Sequence, residues 1–271
     1  MLLVLQLLLV VVFAAEERRC VFHLHMPKCA GTFAWRFLKS KFCVESGQIC
    51  GRSTLRAPPA CDCVVNPSSI KDGAVAAALE NGRYRFVSAH SLAYFPKKNC
   101  ALVAWFRDPV KRVLSHYGYL RDRRKIKDLP SLEDLAQEMP KWASNLQWSL
   151  FVGGQVKGSP SKDQRHIATL KLSSAAFVGV VERMDESLCL FAKTFLPAFD
   201  LCNNQLTTKE NVALKQAKND HHIDLLLRSH NRFDTALYDL ALIDFQRRLA
   251  LAPLTTGNNG TLLGGEKSPT S

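Results

Sequence analysis

An α/β domain built on a central, largely parallel sheet flanked by helices is the fold class this sequence predicts. Short β-rich apolar runs alternate with amphipathic stretches along most of the chain, and the early runs stop at Pro27, His90 and Arg107. Strands that alternate with helices pair in parallel through crossovers, and such sheets are covered on both faces. A chain of 271 residues with 47% hydrophobic content has the material for one such core.

The elements follow in order. Residues 20–26 (CVFHLHM) form a buried strand that ends where Pro27 removes the backbone donor. Phe33, Phe37 and Leu38 recur at helical spacing, which predicts a helix over 32–39. Residues 42–72 read as loop, broken by Pro58, Pro59 and Pro67 and crowded with Cys43, Cys50, Cys61 and Cys63. A weak helix is expected over 73–80, then strands over 84–89 and 101–106. Pro109 suits a first helical turn, so 110–120 reads as helix, with the basic run 121–127 continuing or following it. Ser131 opens another helix with Glu133 and Asp134 early in it. A last strand is expected at 177–181, followed by helices over 186–195 and 231–249. The domain therefore spans 20–252, and the Gly-, Ser- and Thr-rich tail 253–271 reads as disordered.

The apolar run 1–15 (MLLVLQLLLVVVFAA) is shorter than the roughly 20 residues of a spanning helix and closes on small residues. It reads as a cleaved signal peptide or a short signal anchor, the latter giving membrane association. Nine cysteines suit an oxidising compartment, and a disulfide-stapled loop suits the crowded ones. Their spacing lacks the paired CxxC pattern of a structural zinc site. An odd count leaves a thiol free, and Cys29 is the candidate. Asn259-Gly260-Thr261 is a glycosylation acceptor pattern, whereas the proline in Asn66-Pro67-Ser68 disqualifies that one. Lys and Arg outnumber Asp and Glu by 36 to 24, a formal charge of +12. Such a surface attracts nucleic acid, acidic membranes, anionic polysaccharide or a phosphate-rich ligand, and charge alone does not choose among them.

The motifs do choose. In HLHMPKCAGTFAWRFL, Lys28, the small pair Ala30 and Gly31, and Thr32 lie between a strand and a helix, an arrangement that aims amides and a cation at an anion. The order is not the GxxxxGKS/T of nucleoside triphosphatases, because this Lys precedes the turn. No acidic residue for magnesium is evident either, which argues against a kinase. In ALVAWFRDPVKRVLSHYGYL, Arg107 ends a strand and Ser115 lies on the next helix, so a guanidinium fork and a hydroxyl can share one phosphate. The bland alternatives are a structural turn at Lys28 and a carboxylate partner for Arg107.

Together these segments resemble the Golgi carbohydrate sulfotransferases, particularly the heparan sulfate 2-O- and 6-O-sulfotransferases and related chondroitin and uronyl enzymes. MPKCAGT looks like the family's 5′-phosphosulfate loop, PKTGGT or PKTGST, and FRDPVKRVLSHY like its 3′-phosphate signature, RDPxxRxxSxY. NLQWSLFVGG is similar to NxQxRxLxG, VGVVERMDESLCLF to VGxxERFDESLxL, and NRFDTALYDLALIDF closes the match in the family's order. The resemblance implies a P-loop-like domain that uses 3′-phosphoadenosine 5′-phosphosulfate as donor, without a metal. Lys28, Ala30, Gly31, Thr32 and Phe33 would hold its 5′-phosphosulfate end, and Arg107 and Ser115 its 3′-phosphate. It also implies a glycan acceptor and a place in the Golgi lumen or membrane, with secretion as an alternative, while the targeting segment and the glycosylation pattern point away from nucleic acid. Cys29 and Ala30 depart from the usual Thr-Gly, and Trp148-Ser149 stands where Ser/Thr-Arg is common.

An acceptor hydroxyl needs a base as its proton leaves. His90 is the residue chosen for that role, with Lys28 as its catalytic companion, because RFVSAH ends in it and the following SLAYF resembles the family's catalytic His segment. His116 competes, though its place beside Ser115 suits a structural or donor-side role. His23 and His25 alternate with apolar residues and read as structural, and His221 and His222 have no partner at metal spacing. A catalytically silent glycan-binding protein of the same fold, and an enzyme acting on a non-glycan hydroxyl, are the competing readings.

Overall fold

The computed structural model describes residues 20–30, 49–50, 63–65, 86–90, 100–122, 131–138, 140, 143–153, 157–195, 202 and 221–252. The terminal run 1–15, the expected helices at 32–39 and 73–80, the tail 253–271 and the glycosylation pattern lie outside them, as do Cys43, Cys61 and most of the basic run 121–127.

The strands are β1 (Cys20–Leu24), β2 (Ile49–Cys50), β3 (Cys63–Val65), β4 (Phe86–Ala89), β5 (Cys100–Phe106) and β6 (Phe177–Val180). They form one sheet in the order β2-β3-β4-β1-β5-β6, with every pairing parallel. The expected parallel α/β architecture is therefore present. Strands β2 and β3 correct the reading of 42–72 as loop, since two- and three-residue strands are too short to show a period.

The helices are α1 (Pro109–Asp122), α2 (Leu132–Glu138), α3 (Leu146–Phe151), α4 (Lys162–Ser174), α5 (Met184–Phe195), α6 (His221–His230) and α7 (Arg232–Leu251), with a 3-10 turn at Val181–Arg183. Alternate residues of a strand face opposite sides. Phe22 and Leu24 accordingly join Trp148 and Phe151 of α3, Ala168 and Leu172 of α4, and Phe233 and Leu237 of α7 in one core. Val21 faces the other way, into a core with Leu188 and Phe191 of α5 and Phe245 of α7. Helix α7 contributes to both cores and lies against β6. A third cluster joins Val113 of α1, Leu135 of α2 and Leu227 of α6.

Central strands are buried along their whole length, which explains why they read as unbroken apolar runs. A disulfide joins Cys20 to Cys100 where β1 and β5 begin, and another joins Cys189 to Cys202. Among the described residues Cys29 is the free cysteine, as expected from its place in the turn.

Candidate functional site

Four neighbouring strands, β4, β1, β5 and β6, end at one rim of the sheet. His90 follows β4, the turn containing Lys28 follows β1, Arg107 follows β5, and Glu182 lies just past β6. This is the carboxyl edge, where open parallel sheets bind ligands.

The turn after β1 is tight. The amide of Cys29 donates to Met26 O at 3.2 Å, and Lys28 and Ala30 take φ of 67° and 55°. That left-handed conformation costs an L-residue with a Cβ about 1–2 kcal/mol, a cost that glycine would not carry at position 30. The Lys28 ammonium lies over the Tyr119 ring, 4.8 Å from its centroid, so α1 meets the turn here. Ser115 is one helical turn before Tyr119 on the same face of α1 and is buried. Gly31, Thr32 and Phe33 lie outside the described residues.

Arg107 is held at both ends. Its backbone amide donates to Gln147 Oε1 at 3.0 Å, and Gln147 Nε2 donates back to Arg107 O at 2.8 Å. Its Nη1 donates to Lys28 O at 3.1 Å, which brings the two cation-bearing segments together. Its Nε is 3.7 Å from Glu182 Oε1, so the carboxylate partner of Arg107 is Glu182. Asp108, the neighbour in sequence, pairs instead with Arg228 at 3.1 Å. Glu182 is itself fixed, accepting from the Asp108 amide at 3.2 Å and from the Tyr238 hydroxyl at 3.0 Å. Burial, reinforced by the Glu182 charge, pushes the Tyr238 phenol up, so it stays a donor.

His90 is exposed at the rim, and its Nδ1 lies 2.6 Å from the carbonyl oxygen of His25. A carbonyl only accepts, so Nδ1 is the donor, and in the neutral form of the ring Nε2 carries the lone pair. Behind it the His25 ring packs at 4.6 Å between centroids, and the His23 ring stacks on His25 at 5.7 Å. Burial and then the neighbouring imidazoles lower His25 to about 4 and His23 to about 3, so both rings are uncharged near neutral pH. His23 Nδ1 meets Ser88 Oγ at 3.0 Å. His116, the competing histidine, is brought down to about 4 by burial, Arg112 and Lys28. It belongs to the cationic side of the site.

Residue types alone did not single out Gln147, Glu182 or Tyr119. Gln147 and Glu182 do stand inside segments that carry the family resemblance, which was their signal; Tyr119 has none beyond its nearness to Ser115. Of the departures, Trp148 is fully buried and packs edge-on to Phe233 at 5.0 Å, while Ser149 donates to Asn145 O at 2.9 Å. Both serve the seating of α3. Among the described residues no group of three or more His, Cys, Asp or Glu is placed to hold a metal ion, and no helix is long and apolar enough to cross a membrane. No protein-family model matches the chain, and no curated protein is similar enough to it to count as a relative.

Proposed function

We propose that this chain is a sulfotransferase that moves a sulfuryl group from 3′-phosphoadenosine 5′-phosphosulfate to a hydroxyl of a glycan. The observation that carries the reading is the order of chemistry along the rim: an exposed imidazole after β4, an ammonium after β1 and a guanidinium after β5. Adjacent strands are about 4.8 Å apart, so the ammonium and the guanidinium lie within the reach of one nucleotide phosphorylated at both ends.

In this reading Arg107 takes the 3′-phosphate and Lys28 the 5′-phosphosulfate. The acceptor enters from the β4 side. Its oxygen bonds to sulfur as the bond from sulfur to the 5′-phosphate oxygen breaks, and His90 Nε2 takes the hydroxyl proton. Adenosine 3′,5′-bisphosphate leaves, its new charge met by Lys28. The in-line requirement places attacking and leaving groups on opposite sides of sulfur, and His90 and Arg107 flank Lys28 in that sense. The charge of +12 suits an anionic polysaccharide acceptor.

Titration of adenosine 3′,5′-bisphosphate into the purified chain tests the reading. The nucleotide should bind, and Arg107→Ala should erase its advantage over adenosine 5′-monophosphate. An unaltered chain that does not bind it would overturn the assignment.

A further inference from the structure

Gln147 is 1% exposed, and its side chain ties together two segments far apart in sequence. Its Oε1 accepts from the Arg107 amide at 3.0 Å and from the Cys29 thiol at 3.3 Å, while its Nε2 donates to Arg107 O at 2.8 Å. An amide donates only and a carbonyl accepts only, so the pairing with Arg107 settles which end of the Gln147 side chain is oxygen. The thiol must then be the donor to that oxygen. Burial raises Cys29 to about 12, against the pull of Arg112 and Arg107, which keeps the S–H in place. Cys29 thus supplies the donor that a threonine hydroxyl would supply.

We propose that Gln147 is a positioning residue that locks the Lys28 turn to the end of β5 at the separation a 3′,5′-bisphosphorylated nucleotide requires. This rests on the function proposed above. One amide touches the residue after Lys28 and both backbone polar groups of Arg107. The direct bond from Arg107 Nη1 to Lys28 O closes the ring. The backbone of α3 that carries Gln147 is anchored from α7, because Asp234 Oδ2 accepts the Gln147 amide at 3.1 Å. Gln147 therefore holds the spacing of the site from a buried, fixed point, without touching the nucleotide itself.

Such a lock matters only to a ligand that spans both segments. The test compares the binding of adenosine 3′,5′-bisphosphate with that of adenosine 5′-monophosphate, which needs the Lys28 turn alone, in the wild-type chain and in Gln147→Leu. Loss of these three hydrogen bonds should weaken the bisphosphate about 10-fold or more and leave the monophosphate within about 2-fold. Equal weakening of both ligands, or of neither, overturns the role of Gln147. Cys29→Ala removes only the thiol's bond and serves where Gln147→Leu does not fold. It should produce the same selective loss at about 3-fold, and an unselective one overturns the proposal. A wild-type chain that binds neither nucleotide would instead sink the function on which the proposal rests.

Discussion

Asn145 and Asp234 cap each other's helices. Asn145 Oδ1 accepts the amides of Phe233 and Asp234 at the start of α7, at 3.0 and 3.2 Å. Asp234 returns the favour at α3, its two oxygens accepting the amides of Gln147 and Trp148 at 3.1 and 2.7 Å. The first turn of each helix, whose amides lack intrahelical partners, is satisfied by the other. Asn145 takes a left-handed φ of 46°, which asparagine tolerates better than most residues. The Asp234 carboxylate also lies 3.8 Å from Arg112 Nε, both side chains being fully buried. Burial pushes that carboxyl up while Arg112 and the two amides oppose it.

The two caps are not equal in cost. Asn145→Ala should cost about 0.5–2 kcal/mol, the range of a lost cap. Asp234→Ala should cost about 3–5 kcal/mol because it also removes the carboxylate that lies beside the buried Arg112 guanidinium. Chemical denaturation of the single and double variants checks this, and the double should fall short of the sum, as expected for partners in one network.

Ala30 bears a backbone conformation that glycine adopts freely. Ala30→Gly should therefore stabilise the chain by about 1 kcal/mol, and Ala30→Val should destabilise it. Thermal unfolding of the two variants beside the wild type measures both signs.

The buried His23 makes stability depend on pH. In the unfolded chain its imidazole takes a proton near 6.5, but in the fold not until about 3. The unfolded state thus binds more protons between those values. The contribution is whole above 6.5 and is lost as the pH falls toward 3. Each such proton steepens the loss by about 1.4 kcal/mol per pH unit. His23→Gln should be less steep than the wild type by about one proton when unfolding free energy is followed from pH 7 to 4.5. Parallel curves would contradict the burial of a neutral imidazole.

Much of this architecture was legible because its strands are buried. Runs such as CALVAWF keep every residue inside, so apolar continuity and a terminating Arg107 marked both the strand and its rim. The helix α4 escaped notice because only Ala168 and Leu172 of its length are buried, which leaves no apolar stripe to read. Its ends are set by other means. Ser161 caps its start with a capping box through Gln164, and Arg248 of α7 donates to the carbonyls of Leu172, Ala175 and Ala176 at its end. The tie between Gln147 and Cys29 was hidden for a different reason. Partners 118 residues apart leave no local pattern, and the role of a thiol in that turn is not visible until its acceptor is seen. The ladder from His23 through His25 to His90 likewise depends on the register of β1 against β4, which pairs His23 with Ser88.

The most direct measurement is transfer of labelled sulfate from 3′-phosphoadenosine 5′-phosphosulfate to a panel of desulfated glycans by the wild-type chain and by His90→Ala. The wild type should label at least one glycan. His90→Ala should bind adenosine 3′,5′-bisphosphate as the wild type does yet transfer about 100- to 10,000-fold more slowly. A wild-type chain that binds the nucleotide but labels no glycan, or a His90→Ala variant of undiminished rate, would contradict the account.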